Sequence, residues 1–238
     1  MNTSAANISR QLRALASPET AANLQRFFKT GPGEYGEGDV FLGIKVPPLR
    51  ALAKQQRETD LDTVARLLES GYHEERLFAL LLLMQFYRHS GTDGRQAAFD
   101  LYLASTAHIN NWDLVDISAP HIVGRHLQDR PRKVLHTLAR SPVLWERRIA
   151  IIATFHFIRL GDFSDTLRIA GILLNDEHDL MHKAVGWMLR EVGKRDLTAE
   201  EGFLLRHYHS MPRTMLRYAI ERFPEQRRMD FLHGTARG

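Results

Sequence analysis

The sequence has 238 residues, of which 44% are hydrophobic and 25% are charged, a balance typical of a folded protein rather than a disordered chain. Its formal net charge of +4 at pH 7 is compatible with an anionic partner such as nucleic acid. Because the chain has no cysteine, disulfides, cysteine-ligated zinc sites and thiol catalysis are excluded. No apolar stretch is long enough for a signal sequence or a membrane span, so we expect a soluble cytoplasmic protein.

Helical periodicity runs through nearly the whole chain, and no alternating stretch of strand length appears. Apolar residues recur three and four apart in residues 61–68, 79–86, 149–158 and 167–174. Helix starts are predicted where a capping residue precedes a proline, at Ser17, Asp129 and Ser141. Thr198 and Glu201 have the spacing of a capping box, which predicts a further start.

The one long irregular segment covers residues 30–39 and contains four glycines and two glutamates. These glycines argue against a helix, and the segment lacks the Gly-Lys-Ser/Thr ending of a phosphate-binding loop. We interpret it as a flexible connector, with contact to DNA as the alternative.

A weak repeat accompanies the helical periodicity. When five segments are superposed, the fourth position of each is small, and the steps between these positions are 36, 35, 36 and 33 residues. The five positions are Ala79, Val115, Ala150, Gly186 and Ala219. A step of this size holds two helices, as in HEAT-like repeats, and small residues permit close helix packing. The sequence therefore predicts one all-α solenoid domain over residues 1–238 with a concave binding face.

The other repeat positions point to function. The first position of the repeat is basic in three of five segments: Arg76, Arg147 and Lys183. The fifth position is apolar except for Asp116 and Trp187, and departures from a repeat's own pattern are candidate functional positions. We predict a basic concave face that binds DNA.

Four segments carry a resemblance to a known family. Residues 111–116 (Asn-Trp-Asp-Leu-Val-Asp) and 186–191 (Gly-Trp-Met-Leu-Arg-Glu) resemble two motifs of the AlkD family of DNA alkylation-repair glycosylases. Residues 41–47 and 145–148 are similar to its Phe-Leu-Gly-Ile and Trp-x-x-Arg segments. The similarity runs from about residue 20 to about residue 225, in the family's order and on a helical-repeat background.

The resemblance implies an enzyme that removes cationic N3- and N7-alkylated purines from duplex DNA. It implies that Trp112, Asp116 and Trp187 surround the deoxyribose of the lesion, that Arg148 holds the backbone, and that the lesion stays stacked. No metal and no cofactor are implied, and a monomer acting on DNA is the simplest case. We add Arg76, Arg147, Lys183 and Arg190 as predicted DNA contacts. Phe27 stands where some members have a tyrosine, so a contact through a hydroxyl group is in doubt.

The chemistry suits a single carboxylate. An alkylpurine that already carries a positive charge leaves as a neutral base, so no general acid is needed. Asp116 would face the cation developing on the sugar and orient the attacking water. Trp112 and Asp116 are four residues apart and share one helix face, and Asn110 or Asn111 is predicted to cap that helix. Pro120 cannot donate to the carbonyl of Asp116, which predicts a bend.

Each of these residues also has a simpler interpretation. Trp187 would ordinarily be a core residue, an interpretation that we keep for Trp145, and Asp116 would be a solvated carboxylate. The arginines and lysines would form a solvated face. His178 and His182 have a spacing that can bind zinc, but no third ligand is evident. Two other functions remain open, a non-catalytic binder of unusual DNA structures and a protein-binding scaffold.

Overall fold

The computed structural model describes residues 4–56 and 58–237, and this part of the chain is built from α-helices. They are α1 (Ala5–Arg13), α2 (Pro18–Phe27), α3 (Val46–Ala53), α4 (Leu61–Leu68), α5 (His73–His89), α6 (Thr92–Ala104), α7 (Trp112–Ser118), α8 (Lys133–Leu138), α9 (Leu144–Ala153), α10 (Phe155–Arg159), α11 (Ser164–Ile172), α12 (Asp179–Gly193), α13 (Leu197–His207), α14 (Arg213–Ala219) and α15 (Glu225–His233). No β-strand forms within the described residues, where the only bridge joins Val40 to Tyr72. The predicted all-α class is confirmed.

The chain divides into two compact units, residues 1–118 and residues 119–238. The division falls at the end of α7, immediately before a π-helical turn at Pro120–Gly124. In this turn the Gly124 N–H donates to the Ala119 carbonyl, five residues back instead of four. The pattern of helical hydrogen bonds therefore changes at Pro120, where the sequence predicts a bend. The bend itself and the single-domain organisation stay predictions.

The predicted helix starts are confirmed in part. Ser17 caps α2, because its Oγ accepts a hydrogen bond from the Thr20 N–H and Pro18 takes the first helical position. The capping box at Thr198 is wrong. Asp196 caps α13 instead, with its Oδ1 2.9 Å from the Ala199 nitrogen. Two further starts lie a few residues beyond their predicted signals, since α8 begins at Lys133 and α9 at Leu144.

The small repeat positions all lie on helices and are all buried. Ala79, Val115, Ala150 and Ala219 have no exposed surface, and Gly186 is buried on α12. A Cβ placed on Gly186 would lie 2.4 Å from the Met215 carbonyl oxygen and 2.5 Å from the Tyr218 Cβ, both on α14. At this position glycine is therefore required by the close approach of two helix backbones.

The glycine-rich segment at residues 30–39 is not helical, as predicted, but it is held by hydrogen bonds. Its two glutamates accept from backbone N–H groups, Glu34 from Gly31 and Glu37 from Gly33, each at 2.9 Å. The segment ends at Asp39, which is buried in the first unit. The connector expected from composition is thus a hydrogen-bonded loop that ends with the buried carboxylate of Asp39.

Within the described residues, no helix combines the length and the apolar character that crossing a bilayer requires.

Candidate functional site

The first unit carries two of the predicted site residues on α7. Asn111 is fully buried just before this helix, and its Oδ1 accepts a hydrogen bond from the Trp112 N–H at 2.8 Å. The Asn111 carbonyl accepts from the Val115 N–H, so the asparagine cap predicted from sequence is confirmed. Trp112 and Asp116 are both partly exposed and lie one helical turn apart, so their side chains share a face of α7.

An aromatic cluster supports Trp112. Its ring stacks on Phe28 with centroids 5.2 Å apart, and Phe28 stacks in turn on Phe41 at 5.0 Å. Phe27 packs against Trp112 edge-on at 6.0 Å and is 63% exposed. Phe27 therefore makes an apolar contact with the tryptophan. Offset and edge-on ring pairs each contribute about 0.5–1.5 kcal/mol beyond burial, which fixes the orientation of the indole.

A buried ionic network lies beneath these rings. His73 is buried at the start of α5, with its Nδ1 2.8 Å from Asp39 and its Nε2 2.8 Å from Asp113, the second residue of α7. Burial alone would lower the pKa of His73, but hydrogen bonds and charges from the two carboxylates raise that pKa to about 9. The imidazolium therefore donates to both carboxylates at neutral pH. Through Asp113 it ties the first turn of α7 to α5.

Arg76 completes this network. It is 4% exposed, and its guanidinium donates to Asp39 at 2.6 Å, to the Ser70 carbonyl at 2.9 Å and to Asn110 at 3.2 Å. Burial would raise the pKa of Asp39, but His73 and Arg76 hold it below its usual value. The guanidinium is engaged inside the first unit, and the role of Arg76 as a DNA contact stays a prediction.

The Phe-Leu-Gly-Ile segment has a structural explanation. The backbone N–H groups of Leu42, Gly43 and Ile44 donate to the buried carboxylate of Glu74 at 2.8, 2.7 and 3.0 Å. Gly43 has a φ of +84°, and a Cβ there would lie 2.1 Å from the Ser17 carbonyl oxygen. Only glycine fits this backbone. The motif therefore joins the start of α5 to the start of α2.

The second unit carries Trp187 on α12. The indole is partly exposed, its Nε1 donates to Glu191 at 3.3 Å, and its ring lies 5.9 Å from Phe155. The family motif thus includes its own hydrogen-bond partner one turn along the helix. Trp145 is 8% exposed, and its prediction as a core residue is confirmed.

The adjacent predicted cations Arg147 and Arg148 are both engaged within the second unit. Arg148 is 5% exposed and donates to the Leu180 carbonyl at 2.7 Å, in the first turn of α12. Arg147 is ion-paired with Asp176, with a nitrogen–oxygen distance of 2.6 Å. DNA would have to compete with these partners or share the guanidinium groups with them. Their roles as DNA contacts stay predictions.

Lys183 and Arg190 are ion-paired as well. Lys183 pairs with Asp179 at 2.7 Å, one turn apart on α12, and both side chains are exposed. Such an exposed pair contributes about 0–1 kcal/mol. Arg190 pairs with Glu221. Both remain predicted DNA contacts.

The described residues contain no group of three histidine, aspartate or glutamate side chains placed to hold a metal ion. The two histidines with zinc spacing have other uses. His178 caps α12 by accepting from the Leu180 N–H at 3.2 Å, and His182 bonds to the Asp176 carbonyl.

The family model described as DNA alkylation repair enzyme matches residues 8–223. The chain belongs to the DNA alkylation repair enzyme family. Membership supports DNA as a partner and a role in alkylation repair.

Two solved structures resemble this member of the family. One is titled a predicted DNA alkylation repair enzyme from Enterococcus faecalis, with a TM-score of 0.68 and 18% identity, covering 88% of this chain and 97% of that one. AlkD2 from Streptococcus mutans has a TM-score of 0.54 and 15% identity, covering 86% and 97%. At these identities the likeness shows the helical-repeat fold, as predicted. No curated protein sequence matches the chain.

Sequence reasoning missed Asp39 and His73. One signal was available, because residues 73–76 are four consecutive ionisable residues directly before the apolar run of α5. All four are buried. Buried ionisable groups are rare without partners, so such a run predicts distant counter-charges.

Proposed function

We propose that this protein is a DNA glycosylase that hydrolyses the N-glycosidic bond of cationic N3- or N7-alkylated purines in duplex DNA. The observation that carries the proposal is the shared, partly exposed face of Trp112 and Asp116 on α7, in a chain that belongs to the DNA alkylation repair enzyme family. Stacked rings and a buried ionic network hold this face in place.

In the proposed reaction the bond between the sugar C1′ and the purine nitrogen breaks, and its electron pair neutralises the cationic base. The oxygen of a water molecule forms a bond to C1′, and its proton passes to Asp116 and then to solvent. The products are a free alkylpurine and an abasic site. No lysine accompanies the motifs as a Schiff-base nucleophile, so we propose hydrolysis without strand cleavage.

Asp116 supplies charge in this scheme. A carboxylate about 4 Å from the developing sugar cation, at an effective dielectric constant near 20, stabilises it by about 4 kcal/mol. This corresponds to roughly a thousandfold in rate. The gain is sufficient for a base that is already a good leaving group, and no second carboxylate is required.

The tryptophans bind the sugar and limit the access of water. An indole face packs against a sugar ring and favours a developing positive charge, which we propose for Trp112 and Trp187. The resemblance to the family supports a reaction in which the damaged base stays stacked in the duplex. Bulky adducts are then accepted, because no base pocket limits their size. We propose Arg147, Arg148, Lys183 and Arg190 as contacts to the DNA backbone.

Base release tests the proposal directly. The protein is incubated with a duplex that contains one N7-methylguanine, and free base and abasic sites are measured, with the matching unmodified duplex as control. We expect base release from the modified duplex only, undiminished by a metal chelator. Salt-sensitive DNA binding without release would replace the proposal with a non-catalytic binder of unusual DNA. The absence of DNA binding would favour the protein scaffold.

A further inference from the structure

A basic surface of the second unit lies outside the cations predicted from sequence. It is formed by His121 and Arg125 on and after the π-helical turn and by His156 and Arg159 on α10. A Cβ on Gly124 would lie 2.7 Å from the His156 Cβ, so the π-helical turn packs directly on α10. We call these four residues the α10 surface.

The α10 surface continues to Trp187 through a ladder of planar groups. The guanidinium carbon of Arg159 lies 4.2 Å from the ring centroid of Phe155, and Phe155 lies 5.9 Å from Trp187. Arg159 is exposed. A guanidinium stacked by its face on an aromatic ring keeps its N–H edge open to a second partner, and that edge matches two phosphate oxygens.

The main charge effects at the centre of this surface come from cations. The pKa of His156 is lowered by burial and then by the positive charges of Arg125, Arg159, His121 and Arg132. Arg132 is neutralised by Asp162 and Asp165, at 2.5 and 2.9 Å.

Arg125 and Arg159, by contrast, form no ion pair with any carboxylate in residues 4–56 and 58–237. Of the five cations predicted from sequence, four are paired with a carboxylate and Arg148 donates to a backbone carbonyl. Electrostatic attraction to an anion is therefore less compensated by carboxylates at Arg125 and Arg159 than at the predicted positions.

We propose that the α10 surface binds the sugar–phosphate backbone of DNA next to Trp187, with Arg125 and Arg159 as its main phosphate contacts. This inference rests on the proposed function, since it takes DNA as the partner. Arg159 binds a phosphate with its N–H edge while Phe155 holds the guanidinium plane, and Arg125 adds a second contact from the π-helical turn.

Salt dependence of binding tests the inference. Equilibrium constants for a short undamaged duplex are measured over a range of salt concentrations for the full chain, for R125A, for R159A and for the double variant. Each lost phosphate contact is expected to reduce the slope of log K against log salt by about 0.9, so the double variant loses about 1.8. The matched control is R206A, which removes an exposed arginine of the same unit on α13.

The outcomes are distinguishable. Equal slopes for the unmutated protein and the double variant, or an equal loss in R206A, would overturn the α10 surface and leave the proposed function standing. An unmutated protein that does not bind duplex DNA would overturn both. Because Arg125 and Arg159 are exposed, the variants are expected to melt at the temperature of the unmutated protein, which confirms that the fold is intact.

Discussion

The two tryptophans with the same predicted role are supported in different ways. In the first unit, Trp112 lies over an aromatic stack and a buried network in which His73 bridges two carboxylates. In the second unit, Trp187 contacts one phenylalanine and one glutamate, and the ion pair between Lys183 and Asp179 on the same helix is exposed. A buried ionic network becomes strongly destabilising when one partner is removed, because the remaining charges are buried without a counter-charge. A contact made by packing is weakened when a substitution changes the volume of a side chain. The predictions below use this difference.

The largest effect is expected from removing Asp39. D39A leaves both His73 and Arg76 buried without this counter-charge, which is expected to lower the free energy of unfolding by about 3–5 kcal/mol. The matched control is D179A, which breaks the exposed pair with Lys183 and is expected to cost at most about 1 kcal/mol. Urea unfolding measures both. Similar losses in the two variants would contradict the contrast between the units.

Stability is also expected to depend on pH through His73. Its folded pKa of about 9 lies above the unfolded value of 6.5, so its contribution is complete below pH 6.5 and is lost as pH rises through about 9. The expected loss is on the order of 3 kcal/mol. Between pH 6.5 and pH 9, urea unfolding of H73Q should show a loss that is smaller by this amount than the loss in the unmutated protein.

Glu200 in the second unit provides the comparison. Burial raises its pKa from 4.5 to about 8, so the protonated carboxyl stabilises the fold below pH 4.5 and this contribution is lost as pH rises through about 8. E200Q should remove the pH dependence between 4.5 and 6.5, where His73 contributes none, and leave that between 8 and 9. Removal of the pH dependence below 6.5 by H73Q, or of that above 8 by E200Q, would contradict the assignment.

A smaller effect is expected from packing in the second unit. G186A places a Cβ 2.4 Å from a carbonyl oxygen of α14, and we expect a loss of about 1–3 kcal/mol. G171A is the matched control, because it lies on α11 with nothing within 4 Å of the added Cβ. There the change should raise stability by about 0.5–1 kcal/mol, since alanine favours the helix. Opposite signs in thermal melting confirm the close approach of α12 and α14.

Local patterns predicted the fold better than the site. The helix cap at Asn111 and the small, buried repeat positions follow from neighbouring residues and from the helical period, which can be seen directly in the sequence. His73 is 34 residues from Asp39 and 40 from Asp113, and only the fold brings the three together. The same limit applies to the ion pair between Arg76 and Asp39, because a basic residue at a repeat position gives no information about its counter-charge. Arg159, which we propose as a phosphate contact, has no sequence signal, since its ring partner Phe155 appears only in three dimensions.

The most direct test of the account is the rate of base release by D116N. Single-turnover release of N7-methylguanine from a duplex is compared with that of the unmutated protein, after melting curves and duplex binding show that the variant is folded and bound. Loss of the charge that faces the sugar cation is expected to slow release by about a hundredfold or more. Release at the unmutated rate would contradict the central claim that the Asp116 carboxylate carries the reaction.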